Sequence, residues 1–78
     1  MNWSDRMKLS ITYCVMWNYF PKAASLADAI MNSVNDVDIE FIKSSGGRFE
    51  VMKDGKLIYS KARTGNFPDE QELINKLT

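Results

Sequence analysis

Residues 12–19 read TYCVMWNY, and Cys14 is the only cysteine in the 78-residue chain. It stands where β-branched and aromatic residues give way to helical spacing, at an expected strand-to-helix junction. A thiolate there can attack a disulfide and form a mixed disulfide. A dithiol site needs a second sulfur three residues on, one helical turn away and within reach of the ~2 Å sulfur–sulfur bond. That position is Trp17, whose indole donates one hydrogen bond and offers no sulfur. The chain therefore closes no internal disulfide. Chemistry at Cys14 would be a monothiol cycle, with glutathione or a protein thiol supplying the second sulfur. A plainer reading stands beside it: free cysteine is among the residues most often buried, and Cys14 would then only fill space at a strand end.

The neighbours divide in the same way. Trp17 projects roughly 80° from the centre of the following apolar stripe at 100° per residue, which predicts a partly exposed indole beside Cys14. With Tyr19 it would form an apolar lip for a partner or a stacked ligand. Phe20 projects near the middle of the stripe and is expected in the core. Ser45, Gly46 and Gly47 belong to a loop that this topology brings towards the junction, where two glycines let a bound peptide approach the backbone. The same glycines would also serve simply to turn the chain. Lys22 and Arg63 read equally as solvated surface, and Met7, Met16, Met31 and Met52 as gap-filling core or rim.

The elements that must position these residues follow from periodicity. MKLSITYC predicts a first strand over about Lys8–Tyr13, behind a frayed start at Asn2–Arg6. From Trp17 onward Phe20, Ala23, Ala27, Ile30, Met31 and Val34 share one helical side, with Pro21 in a first turn that tolerates it. Val37, Ile39 and Phe41 then alternate with Asp38, Glu40 and Ile42, a second strand, and the crossover makes the two strands parallel. RFEVMKDGKLIYSKA gives two β-rich runs joined at Asp54-Gly55, the dipeptide of a tight hairpin. NFPDEQELINKL offers Asp69 as N-cap with Glu72 three residues later, opening a last helix. The order β-α-β-β-β-α predicts a thioredoxin-like α/β (α+β) domain: a mixed four-stranded sheet with two helices, occupying residues 8–78 behind a tail at 1–7.

Composition bounds the function. Apolar residues make up 45% and charged residues 26%, an ordinary globular balance. Ten basic residues offset ten acidic ones and are interspersed along the sequence, so no nucleic-acid partner is expected. No apolar run approaches the ~20 residues of a membrane span. The N-terminus lacks the order of a secretory signal and cysteine is scarce, so a cytoplasmic setting is expected, with no membrane partner. With no histidine and one thiol, no metal or bound cofactor is expected either.

Five segments together resemble the selenoprotein W-like proteins, the Rdx family: ITYCVMWNY, PKAASLADAI, SSGGRFEV, DGKLIYSK and GNFPDEQEL. The resemblance runs over about Leu9–Leu77. It implies a small cytosolic, glutathione-linked thiol oxidoreductase or antioxidant protein with a Cys-x-x-Cys or Cys-x-x-selenocysteine motif. Cys14 matches the first motif position and Trp17 falls on the second, so dithiol and selenol chemistry is not carried over. Two functions are then expected in turn. One is a monothiol oxidoreductase acting through Cys14 with glutathione as co-substrate. The other is a non-catalytic module that binds a protein partner through the Trp17/Tyr19 surface and the Ser45–Gly47 loop.

Overall fold

The computed structural model describes residues 7–77. Four strands, β1 (Met7–Cys14), β2 (Val37–Ser44), β3 (Phe49–Lys53) and β4 (Lys56–Ser60), form one sheet in the order β2-β1-β3-β4. β1 runs parallel to β2 and antiparallel to β3, and β3 runs antiparallel to β4. Three helices accompany the sheet: α1 (Phe20–Ser33), α2 (Lys61–Thr64) and α3 (Glu70–Leu77). The expected thioredoxin-like α+β arrangement is present, with one addition. α2 is a single turn ended by Gly65 at φ 81°, too short for an apolar period to reveal it. Of the expected tail, Met7 opens β1 and the remainder lies outside the described residues.

Alternation along β1 sets up the two faces of the sheet. Leu9, Ile11 and Tyr13 are buried and join Phe49 and Val51 of β3 against Ala23, Leu26, Ala27 and Ile30 of α1 and Leu73, Ile74 and Leu77 of α3. Lys8, Ser10 and Thr12 point to the other face, opposite Asp38, Glu40 and Ile42 of β2. The core is thus one layer between sheet and helices, the economical arrangement open to a chain of this size.

The hairpin forms as expected because both turn residues adopt the left-handed region, Asp54 at φ 49° and Gly55 at φ 86°. Asp54 also ties the turn to β1: its N–H donates to the Lys8 carbonyl at 2.8 Å, and its Oδ1 accepts from the Lys8 N–H at 3.1 Å. At α3 the expected cap is made, with the Glu72 N–H donating to Asp69 Oδ1 at 3.1 Å.

Several expectations about α1 and the turn before it are corrected. The helix begins at Phe20 and not at Trp17, because Asn18 at φ 56° interrupts helical geometry and turns the chain first. Phe20 is 44% exposed and not core. It packs at the sheet edge, 5.4 Å from the rings of both Tyr13 and Phe41, because its strand neighbour β2 is itself an edge strand with nothing beyond it. Met31 is likewise exposed, and Leu26, which the stripe omitted, is buried. Met16 is no gap-filler: at 84% exposure it stands in solvent at the tip of a turn.

Candidate functional site: the Cys14–Trp17 junction

Cys14 is the last residue of β1, opposite Ser44 of β2. It is buried, 0% exposed, and Val15–Tyr19 intervene between it and the start of α1 at Phe20.

The intervening segment is held by backbone bonds. The Val15 N–H donates to the Ser44 carbonyl at 3.1 Å, the Asn18 N–H to Val15 at 3.0 Å, and the Tyr19 N–H to the Cys14 carbonyl at 3.1 Å. The first of these fastens the turn to the strand end that leads into Ser45–Gly47. The last lets the chain close over Cys14 before the Ala23 N–H, bonding to Tyr19 at 3.1 Å, starts the helix. No side chain caps α1, and its first turn holds no acidic residue.

Above the buried sulfur the turn is exposed and apolar. Val15, Met16 and Trp17 all face solvent, with Trp17 61% exposed in the turn before α1 and not on the helix from which its exposure was projected. Trp17 is nevertheless positioned, because its six-membered ring lies over Gly47 and its plane stands edge-on to Tyr19 at 5.9 Å. Gly46 and Gly47 take φ 72° and 73°, so two successive left-handed residues bend the loop under the indole. Four of the sequence-predicted residues, Trp17, Tyr19, Gly46 and Gly47, thus come together. Ser45 leads into them as an exposed loop residue.

Two members of the site, Phe67 and Lys61, were not singled out from sequence, and a third, Lys22, read there equally as solvated surface. Phe67, in the segment before α3, stacks edge-on against Tyr19 at 4.8 Å and against Phe49 at 5.2 Å. An aromatic series therefore runs from the exposed Trp17 through Tyr19 and Phe67 to the buried Phe49. The Lys61 ammonium lies 5.6 Å from the Tyr19 ring centroid and 5.3 Å from that of Phe67, and the Lys22 ammonium lies 5.3 Å from Phe67. A groove of about 230 Å³ opens beside Phe67, lined by Lys22, Ser25, Leu26, Phe49, Pro68 and Glu70. The only prior signal was an aromatic residue placed just ahead of the Asp69 cap, which fixes a loop that would otherwise have no apolar anchor.

Chemically, the junction offers one buried thiol at the base of a turn and one exposed indole on it. Nothing in it can resolve a mixed disulfide from within. No helix among the described residues is long and apolar enough to cross a membrane.

This geometry has relatives. The structure superposes on a crystal structure of a selenoprotein W-related protein from Vibrio cholerae with TM-score 0.87 at 23% identity, covering 92% of each chain. It superposes on a crystal structure of a protein from Bordetella parapertussis with TM-score 0.88 at 20% identity, covering 92% of this chain and 94% of that one. By sequence it is 28% identical over 71 residues to bovine Migration and invasion enhancer 1, covering 91% of this chain and 62% of the relative. The mouse protein of the same name is 28% identical over 67 residues, covering 86% and 58%. The chain thus spans about three fifths of the length of these curated relatives. The model of the Rdx family matches residues 8–78, and with the sheet order and the strand-end junction in place, the chain belongs to the Rdx family, the selenoprotein W-like proteins.

Proposed function

We propose that this protein serves thiol redox homeostasis in the cytoplasm as a monothiol member of its family, with Cys14 as the exchanging sulfur and glutathione as co-substrate. Family membership implies a redox-related function. The observation that carries the finer reading is that the motif junction holds a single thiol, Cys14, while Trp17 stands where the second would be.

The cycle needs one mixed disulfide as substrate and one external thiol. The Cys14 thiolate attacks a protein–glutathione mixed disulfide at the glutathione sulfur, releasing the protein as thiolate and leaving glutathione on Cys14. A second glutathione thiolate attacks that bond, releasing glutathione disulfide and returning Cys14 as thiolate. Because Cys14 is buried in the closed junction, exchange is gated by opening of the Val15–Asn18 turn, which is held by few backbone bonds and is exposed along its length. The test is intact-mass analysis after incubation with glutathione disulfide, with Cys14→Ser as control. A single glutathione adduct on the parent chain is the expected result, and an inert folded chain would sink the proposal.

The contrast between a buried Cys14 and an exposed Trp17 favours a second reading, in which the junction only binds. Trp17, Tyr19 and the Ser45–Gly47 loop would then hold a protein partner with no thiol step. Under that reading Cys14→Ser preserves partner binding and Trp17→Ala abolishes it.

A further inference from the structure

The chain has as many acidic as basic residues, but the segments that meet at one end of the sheet carry only basic ones. β1 and β2 end, β3 begins and β4 ends at the same edge of the sheet, as the pairings of Cys14 with Ser44, Tyr13 with Phe49 and Glu50 with Ser60 require. The three segments that meet there, residues 14–20, 43–49 and 60–68, carry Lys43, Arg48, Lys61 and Arg63 and no Asp or Glu. At the opposite end Asp36, Asp38 and Asp54 are offset by Lys8, Lys53 and Lys56. Interspersion along the sequence suggested no basic face, but the fold gathers one at the Cys14 end of the sheet.

The basic end is also the aromatic end. Among the described residues neither Lys22 nor Lys61 has a carboxylate partner; both ammonium groups rest on rings of the Tyr19–Phe67 pair. Glu70, which lines the same groove as Lys22, accepts from Ser25 Oγ at 2.7 Å, and Glu50 accepts from Ser60 Oγ at 3.5 Å. Cations held in no ion pair, around an indole fixed over Gly47, form a surface complementary to an apolar chain bearing negative charge.

We infer that this end of the sheet is a docking platform for an acidic peptide segment of a partner protein. Trp17 packs on the segment's backbone and apolar side chains, while Lys43, Arg48 and Lys61 pair with its carboxylates. A peptide fits better than a nucleic acid. Single-stranded nucleic acid is held by a cationic groove that tracks the backbone and by aromatic faces taking successive bases. Here the cations sit in short loops around one exposed indole, since Tyr19 is closed off by Phe67. The inference rests on the proposed function in taking this end of the sheet as the working site, and it names the partner class that the site selects.

The test uses the full-length Cys14→Ser chain, in which thiol exchange is impossible, so that its outcome is independent of the glutathione assay. Fluorescence anisotropy of a labelled Asp/Glu-rich peptide is measured beside a Lys-rich peptide of equal length and a single-stranded oligonucleotide of equal charge. The acidic peptide should bind best, and its affinity should fall on raising the salt from about 0.01 M to 0.15 M. The exposed pair Lys43→Glu with Arg48→Glu should weaken it at least tenfold, as should Trp17→Ala, with circular dichroism confirming that both variants are folded. Equal binding by the charge-reversed variant, equal binding of the Lys-rich peptide, or tighter binding of the oligonucleotide would each overturn the inference.

Discussion

A β-carbon on Gly47 would stand 2.8 Å from Cζ3 of Trp17, so the indole occupies the space that any side chain at position 47 would need. Trp17 owes its fixed orientation to a residue thirty positions away in sequence, and that dependence can be measured. Gly46 is the natural comparison. It has nearly the same φ, 72° against 73°, but nothing lies within 4 Å of a β-carbon there. Gly46→Ala should lower stability by about 1–2 kcal/mol, the cost of a left-handed alanine. Gly47→Ala should cost more and should shift the Trp17 indole N–H resonance as the ring is displaced. Equal costs with an unmoved resonance would contradict this packing.

The lock on the loop that carries Phe67 gives a second prediction. The Tyr59 hydroxyl donates to the Asn66 carbonyl and bonds Thr64 Oγ1 at 2.8 Å, fastening the segment between α2 and α3. Tyr59→Phe should destabilise the chain by about 1 kcal/mol, and amide exchange should quicken around Asn66 before it quickens in β1. Unchanged exchange in this segment would mean that Phe67 is held by its ring contacts alone.

Capping gives a third. Asp69→Ala removes the acceptor for the Glu72 N–H and should cost about 0.5–2 kcal/mol in urea unfolding. Asp69→Asn should restore most of it. A full loss in the asparagine variant would point to the charge of Asp69 and not to its hydrogen bond.

Much of the fold was legible in the sequence because its signals are local. The hairpin at Asp54-Gly55, the cap at Asp69 and the alternation of Val37 and Ile39 each depend on residues within a few positions of one another. What escaped depends on where the chain returns. Phe20 lies on the apolar stripe yet is half-exposed, because only the sheet order shows that its neighbour Phe41 is on an edge strand. The helix start escaped because Asn18 takes a left-handed conformation that its residue type permits but does not demand. At the site, Trp17 was readable as exposed and the glycines as its neighbours. Phe67, Lys22 and Lys61 were not, since they meet Tyr19 from distant parts of the chain. The burial of Cys14 was one of two stated alternatives for that residue, and it is what makes the proposed exchange a gated one.

The core itself sets a limit on variants. Phe49 is buried and carries the inner end of the aromatic series through Phe67. Phe49→Ala should cost about 3–5 kcal/mol, a large part of the ~5–15 kcal/mol available to a small domain. Thermal unfolding should show a lower midpoint, together with loss of the near-ultraviolet aromatic signal. A variant of unchanged midpoint would mean that the aromatic series does not reach the core.

The proposed function turns on whether the buried thiol exchanges from the folded state. The most direct measurement follows adduct formation by intact mass during incubation with glutathione disulfide, at a series of urea concentrations below the unfolding transition. A gated monothiol predicts one glutathione per chain in native buffer, none on Cys14→Ser, and faster addition in Gly47→Ala, where the turn loses its seat. If no adduct forms until the chain unfolds globally, Cys14 is a structural residue and the monothiol account is wrong.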